Sequence, residues 1–470
     1  MKKARYKNEP HAAVTIIDAA SDGFGIARIG EKVVFVEQAI PGDVADIVIY
    51  QEKKKFGQAR LSKLVEPSPY RIEPVCEHFG VCGGCKWQMM DYAAQLKFKE
   101  KQVFDALTRI GHLEIPERTA IIGAEKTLEF RNKLEFTFTH NRWLTATEIA
   151  DTAVEKPLAG LGFHLPGRFD RILQVNHCHL MDNRMNEVRN SVYELVQRHK
   201  IPCYDIRGHQ GFLRTLTIRN TSLGQWMVLV MFGQPNDTFI PQVMKHLETE
   251  FPWITSLLYV INEKPNETLD GQTVICWSGE PQIVERFEDI EYIISPKSFF
   301  QTNSDQALRL YQLTREFAGL TGKENVYDLY TGTGSIALFV AKKAAKVVGV
   351  EYVEDAVVDA RKNAERNGIT NTSFFAGDMK DLLNDEFIAT HGRPDVIITD
   401  PPRAGMHPDV VAMLNRLGAP RIVYVSCNPA TQARDLDLMR EHYRLVKYQP
   451  VDMFPQTAHV ENVALLERIA

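Results

Sequence analysis

No stretch of this chain approaches the roughly 18 consecutive apolar residues that cross a bilayer, so no membrane partner is expected. Met1 to Lys7 is basic, but no apolar run follows it, and a secretory signal is not expected either. An excess of positive charge is also missing. The 55 Lys and Arg residues face 60 Asp and Glu, a formal net charge of -5. That argues against a protein that coats nucleic acid by bulk charge. It leaves room for local basic patches, of which Lys53-Lys54-Lys55 and the N-terminal arm are two. Cysteine is scarce and odd in number, seven in all, which does not make a disulfide framework. A reducing compartment, the cytoplasm, is the better reading. Internal repeats and low-complexity tracts are absent.

What is present is the composition of an ordinary globular protein, 44 % apolar and 24 % charged, in a chain of 470 residues. That is long for one core and implies two to four domains. Residues 10 to 66 carry β-rich runs at 13–17, 32–36 and 46–50, separated by the turn signals Asp22-Gly23-Phe24-Gly25 and Pro41-Gly42-Asp43. About five short strands there predict a small barrel of the OB type. It is either a plain β domain or, given Lys53 to Lys55, one that meets nucleic acid. Pro67-Ser68-Pro69 marks a boundary, and Tyr92 to Ile110 has the periodicity of a helix. The stretch from 119 to 290 is mixed α and β. From about residue 320, apolar strands alternate with helices, which predicts a mostly parallel sheet covered on both faces. Ligands bind such sheets at the carboxyl ends of strands.

Three such ends carry a cofactor-like pattern. Asp328-Leu329-Tyr330-Thr331-Gly332-Thr333-Gly334 is a glycine-rich turn from strand to helix, without the phosphate fingerprint and without a P-loop. Glu351 ends the next strand and can accept from both hydroxyls of a ribose. Asp378 ends a third and can accept from an adenine amine. Together they suit a nucleoside lacking a pyrophosphate; another nucleotide-binding fold is the competing reading.

Two further strand ends carry chemistry. Asp400-Pro401-Pro402-Arg403 offers a carboxylate to an imide N–H of a planar substrate. Tyr424-Val425-Ser426-Cys427-Asn428-Pro429 runs an apolar strand into a cysteine. Such a cysteine is often just a buried apolar residue, but its place beside the other motifs favours a nucleophile; a hydrolase triad has no paired histidine to support it. Glu461 in His459-Val460-Glu461 is either a base that folds back on Cys427 or a surface carboxylate on an edge strand. Cys76, Cys82 and Cys85 are bunched as if on a metal, either zinc or iron.

In this order, these motifs, with Phe299-Phe300-Gln301 and Cys178, resemble those of the uracil-C5 RNA methyltransferases, and more closely their iron–sulfur-containing 23S ribosomal RNA branch. The resemblance spans essentially the whole chain. It implies an α/β, Rossmann-like S-adenosylmethionine methyltransferase domain at 296–470. An α+β central domain at 69–295 and an OB-like, TRAM-type RNA-binding barrel at 1–68 would precede it. It implies Gln301, Tyr330, Ser335, Glu351, Asp378 and Asp400 as methyl-donor contacts and Phe299 as a residue packing at the target base. Cys427 would be the nucleophile and Glu461 the base. It implies a [4Fe-4S] cluster on Cys76, Cys82, Cys85 and Cys178, with a structural role, and 23S ribosomal RNA as partner, with transfer RNA as the alternative. A non-catalytic metal-containing RNA-binding protein is the alternative outside enzymes. No protein partner and a monomer are expected. The glycine loop departs from the family's usual Cys-Gly-x-Gly-Asn: Thr331 and Ser335 stand at its ends. Cofactor binding is expected to survive that change.

Overall fold

The computed structural model describes residues 5–115, 118–152 and 158–469. The N-terminal alternation becomes five strands, Arg5–Ala19, Gly25–Ile29, Lys32–Glu37, Val44–Glu52 and Phe56–Glu66. They close a barrel in the order first, second, third, fifth, fourth. Every second residue turns inward, so Val34 and Val36, and Ala45, Ile47 and Ile49, share a core with Ile16 and Ala59. The predicted turn at Pro41-Gly42-Asp43 also fastens the barrel to the segment after its last strand. Asp43 is fully buried, accepts the N–H groups of Ile40 and Ser68, and pairs with Arg71 at 2.5 Å. Trp87, also buried, donates its indole N–H to the Gly23 carbonyl at 3.2 Å.

A seven-stranded sheet occupies the middle of the chain. Its spatial order is Val274–Gly279, Ser256–Ile261, Trp226–Phe232, Leu213–Asn220, Lys133–Thr139, Gly160–Leu165, Arg168–Gln174. Every residue of Trp226–Phe232 is buried, because this strand has two covered faces. Trp226, Val228 and Val230 pack with residues of the helices Asn183–His199 and Phe239–Glu250. Met227, Leu229 and Met231 point the other way, into the core that holds Phe300 and Phe339.

The third sheet has the order Thr372–Ala376, Lys346–Glu351, Asn325–Leu329, Val396–Thr399, Arg421–Ser426, Glu461–Arg468, Tyr443–Val451. The first five strands are parallel, and the last two are antiparallel to their neighbours. The helices Ser304–Ala318, Ser335–Ala341 and Glu354–Arg366 cover one face; Pro408–Leu417 and Pro429–Met439 cover the other. This is the Rossmann-like methyltransferase architecture expected, behind a small barrel. The helix Tyr92–Arg109, started by Asp91 accepting the Ala94 N–H at 2.9 Å, packs on that second face although it precedes the central sheet in the chain. Its Lys99 forms a fully buried pair with Asp452 at 2.5 Å. Removing either partner would strand a buried charge, at about 3–5 kcal/mol. The strand order reverses beside Asn325–Leu329, and the crevice outside that reversal is where an open α/β sheet takes its ligand.

Candidate active site

Five carboxyl ends of the third sheet meet at this crevice. On one side lies the glycine-rich turn. Tyr330, Gly332 and Gly334 all have positive φ, at 62°, 55° and 77°. A side chain added at Gly334 would meet Ala360 and the Phe374 ring at 3.1 Å, whereas at Gly332 it would meet nothing within 4 Å. The turn is therefore packed below and open above. Its shape is held by carboxylates. Asp328 accepts from the Thr331 hydroxyl at 2.5 Å and the Ala337 N–H at 3.0 Å. Glu351 accepts the N–H groups of Gly332, Tyr352 and Val353 at 2.8–3.0 Å. Ser335 accepts from the Tyr311 hydroxyl at 3.0 Å, so the serine of the departure is fastened to the core. Asp378 caps the short helix Met379–Leu382 by accepting the Lys380 N–H at 3.2 Å.

On the other side the strand Glu461–Arg468 pairs antiparallel with Arg421–Ser426, and the last pair is Ser426 with Asn462. One step further, Cys427 and Glu461 adjoin at the strand ends. Glu461 is not on an edge: its strand lies between Arg421–Ser426 and Tyr443–Val451, and the residue is only 5 % exposed. Burial, then the charge of Asp400, pushes its carboxyl up to about 8, against the opposing pull of Arg403. Burial, then Asp328, raises Asp400 to about 7. Burial, then Glu461 and Asp400, pushes the Cys427 thiol up to about 11, and Arg403 again pulls down. Neither the Asp400 nor the Glu461 carboxylate accepts a hydrogen bond among the described residues. The loop of Cys427 is tied by Ser426 and Asn428, the Ser426 hydroxyl accepting the Asn428 N–H at 3.1 Å. Arg403 reaches His459 Nδ1 at 3.2 Å. Desolvation, then Arg403, drops that imidazole to about 4, which keeps it a neutral acceptor.

Phe299 and Gln301 lie on a segment anchored by the central sheet. The guanidinium of Arg219 donates to the carbonyls of Ser298 and Phe300 at 3.2 and 3.0 Å, and Asn132 donates to that of Gln301 at 3.0 Å. Phe300 is buried while Phe299 is 75 % exposed, so the clamp holds a bare ring outward.

Comparison with known proteins agrees with this geometry. The tRNA (Uracil-5-)-methyltransferase family model matches residues 282–469, and the TRAM domain model matches 12–62. An RNA methyltransferase of Bacteroides thetaiotaomicron is 50 % identical over 451 residues, covering 95 % of this chain and 99 % of the relative. One of Chlorobaculum tepidum is 39 % identical, covering 99 % and 98 %. The crystal structure of the Pyrococcus abyssi tRNA (uracil-54, C5)-methyltransferase with S-adenosyl-L-homocysteine superposes with a TM-score of 0.73 at 29 % identity, covering 96 % of this chain and 99 % of that one. The chain belongs to the uracil-C5 RNA methyltransferase family. It is an S-adenosylmethionine-dependent enzyme acting on uracil C5 in RNA.

For a member of this family the donor side fits. The open space over Gly332 and a carboxylate already aligned by three N–H groups suit a ribose with two free hydroxyls. Two groups that sequence reasoning passed over belong to this uracil-C5 enzyme's site. Asp328 shapes the loop, and its position at a strand end was the available signal. Arg403 supplies the cation that acts on Cys427 and Glu461, and its signal was its place within the Asp400 motif.

The [4Fe-4S] cluster expected on Cys76, Cys82, Cys85 and Cys178 is corrected. The four thiols line one cavity of about 520 Å³, yet among the described residues no group of three or more His, Cys, Asp or Glu side chains is placed to hold a metal ion. Cys82 instead accepts the Gly84 N–H at 3.5 Å.

Proposed function

We propose that this enzyme methylates a uridine of transfer RNA, with Cys427 bonded to uracil C6 during the reaction and Glu461 removing the C5 proton. The observation that carries the reading is the convergence of Cys427, Asp400 and Glu461 at adjacent strand ends, with Arg403 as their counter-charge.

Uracil C5 is a weak carbon nucleophile. Addition of the Cys427 sulfur to C6 breaks the C5–C6 double bond and leaves an enolate, which makes C5 nucleophilic. S-adenosylmethionine, when bound, supplies an electrophilic methyl group on a sulfonium. The thiol proton passes to solvent water before attack, since Cys427 is only partly buried, and Arg403 favours the thiolate against burial. Asp400 meets the N3–H as a carboxylate, or the developing O4 charge as an acid; a group near 7 can serve either way. After transfer, C5 bears both hydrogen and methyl. Glu461 takes the proton, the C5–C6 double bond re-forms, and sulfur leaves C6. Burial and Asp400 raise this carboxyl above its ordinary range, which makes its ionised fraction a stronger base toward the C5 proton than an exposed carboxylate is. Glu351, Asp378, Tyr330, Ser335 and Gln301 hold the donor, and the outward ring of Phe299 packs on the target base, which has to be unpaired or flipped.

Transfer RNA is favoured over the 23S ribosomal RNA of the sequence expectation. That expectation rested, by resemblance, on the cysteine cluster and the barrel; the cluster is corrected, and both the matched family model and the Pyrococcus enzyme are described by transfer RNA. In this reading, residues 1–68 and 69–295 position the RNA through its phosphates, and 296–470 does the chemistry. Mapping 5-methyluridine in transfer RNA and 23S ribosomal RNA from cells with and without the gene tests it. Loss in transfer RNA is expected; loss in 23S ribosomal RNA alone overturns the substrate.

A further inference from the structure

Among the described residues three aromatic side chains stand mostly in solvent: Phe169, Phe299 and Tyr352, at 67, 75 and 73 %. Phe299 belongs to the segment clamped by Arg219, and Tyr352 follows Glu351 at its strand end. Phe169 belongs to neither. It sits on Arg168–Gln174, the outermost strand of the central sheet, just after the turn Pro166-Gly167. A single exposed apolar residue is normal on a protein surface; its company sets this one apart. Arg168 precedes Phe169 at the exposed turn, and Arg171 follows two residues on, in a stretch where the strand bulges out of register between Arg168 and Ile172. Asp170 does not cancel this charge alone. Arg207 forks onto its carboxylate through Nε at 2.8 Å and Nη2 at 2.5 Å, and Arg171 lies 3.7 Å away. Arg171 and Arg207 thus meet Asp170, with Asp205 beside them, and Arg168 is left without an ion pair among the described residues, in a chain whose net charge is -5. Beside them opens a cavity of about 290 Å³, lined by His140, Asp170, Arg171 and Arg207 among others.

A bare aromatic face takes a base of any sequence, and guanidinium groups beside it take the flanking phosphates. We propose that Phe169, Arg168 and Arg171 form a second RNA contact, a stacking platform for one unpaired nucleotide of the substrate other than the target uridine. The proposal rests on the reading of RNA as substrate. It gives the far edge of the central sheet a role in holding the body of the RNA while Phe299 holds the base that reacts.

The test uses the full-length protein, a full-length transfer RNA transcript and a mixed-sequence single-stranded RNA, with binding read by fluorescence anisotropy. Phe169→Ala is expected to weaken both complexes about tenfold and Phe169→Trp to restore them, because stacking is shared by any large aromatic ring. In methylation assays Phe169→Ala raises KM and leaves kcat unchanged. The double variant Arg168→Ala/Arg171→Ala lowers the dependence of binding on salt, by a slope of about 1–2, which Phe169→Ala does not. Unchanged RNA affinity in Phe169→Ala, with an unchanged circular dichroism spectrum, overturns the platform. A changed sedimentation coefficient with unchanged RNA affinity overturns it too, and assigns the edge strand to contact with a second copy. The two readings fail separately. An enzyme that binds mixed-sequence RNA through Phe169 but does not methylate transfer RNA retains the platform and loses the substrate.

Discussion

The two halves of the catalytic sheet's edge are built to opposite rules. On the donor half the carboxyls are hydrogen-bonded before any ligand arrives: Glu351 accepts three backbone N–H groups and Asp328 accepts two donors, although burial still raises Asp328 to about 7. On the acceptor half, Asp400, Cys427 and Glu461 crowd together with Arg403 as counter-charge, and burial pushes all three acids upward. The difference reflects what each half does. A donor pocket has to keep one shape, and satisfied hydrogen bonds hold it. A reacting cluster has to exchange protons near neutral pH, which needs groups displaced from their ordinary values.

The contrast is broken most severely at Cys427. Cys427→Ala should lower kcat by about 10⁵, as expected when a covalent route is lost, with RNA affinity nearly unchanged in a binding assay. Appreciable methylation by that variant would mean that C5 reacts without the adduct. On the donor half, Glu351→Ala frees the Gly332 N–H and, in the proposed binding mode, removes two charge-assisted bonds to the ribose. The Kd for S-adenosylmethionine, measured by calorimetry, should rise about 10–100-fold. A smaller change than twofold would place the ribose elsewhere.

The smallest effect is a pH dependence of stability. Asp400 is raised to about 7, so the folded chain holds a proton that the unfolded chain gives up above about pH 4. Its contribution to stability therefore falls as pH rises from about 4 to about 7. Asp400→Asn cannot ionise and escapes that loss. Its Tm should exceed that of the unsubstituted enzyme by a few degrees at pH 9 and match it at pH 4. An equal gap at both values would mean that the carboxyl is not displaced.

Much of this contrast is legible in the residues. The helix at 92–110 and the strands before Tyr330, Glu351 and Cys427 lie within a residue or two of their predicted places, because caps, glycines and long apolar runs are local signals. The site motifs were legible since each sits at a strand end. What pairing decides was not. The strand Glu461–Arg468 reads as an edge from its own residues, and its inner place depends on Tyr443–Val451 folding outside it. The packing of Tyr92–Arg109 on the catalytic sheet depends on Asp452, more than 350 residues away. The cysteines mislead for a related reason: spacing shows proximity along the chain, and ligation needs thiols converging on a point.

The central claim, a covalent route ended by Glu461, is tested most directly by Glu461→Gln incubated with transfer RNA. Glutamine keeps the size and polarity of the side chain but cannot take the C5 proton. The account predicts a band on a denaturing gel, containing enzyme and RNA joined through Cys427, that forms only with S-adenosylmethionine and is absent when Cys427→Ala is added to the same chain. Normal turnover by Glu461→Gln, with no such band, would contradict it.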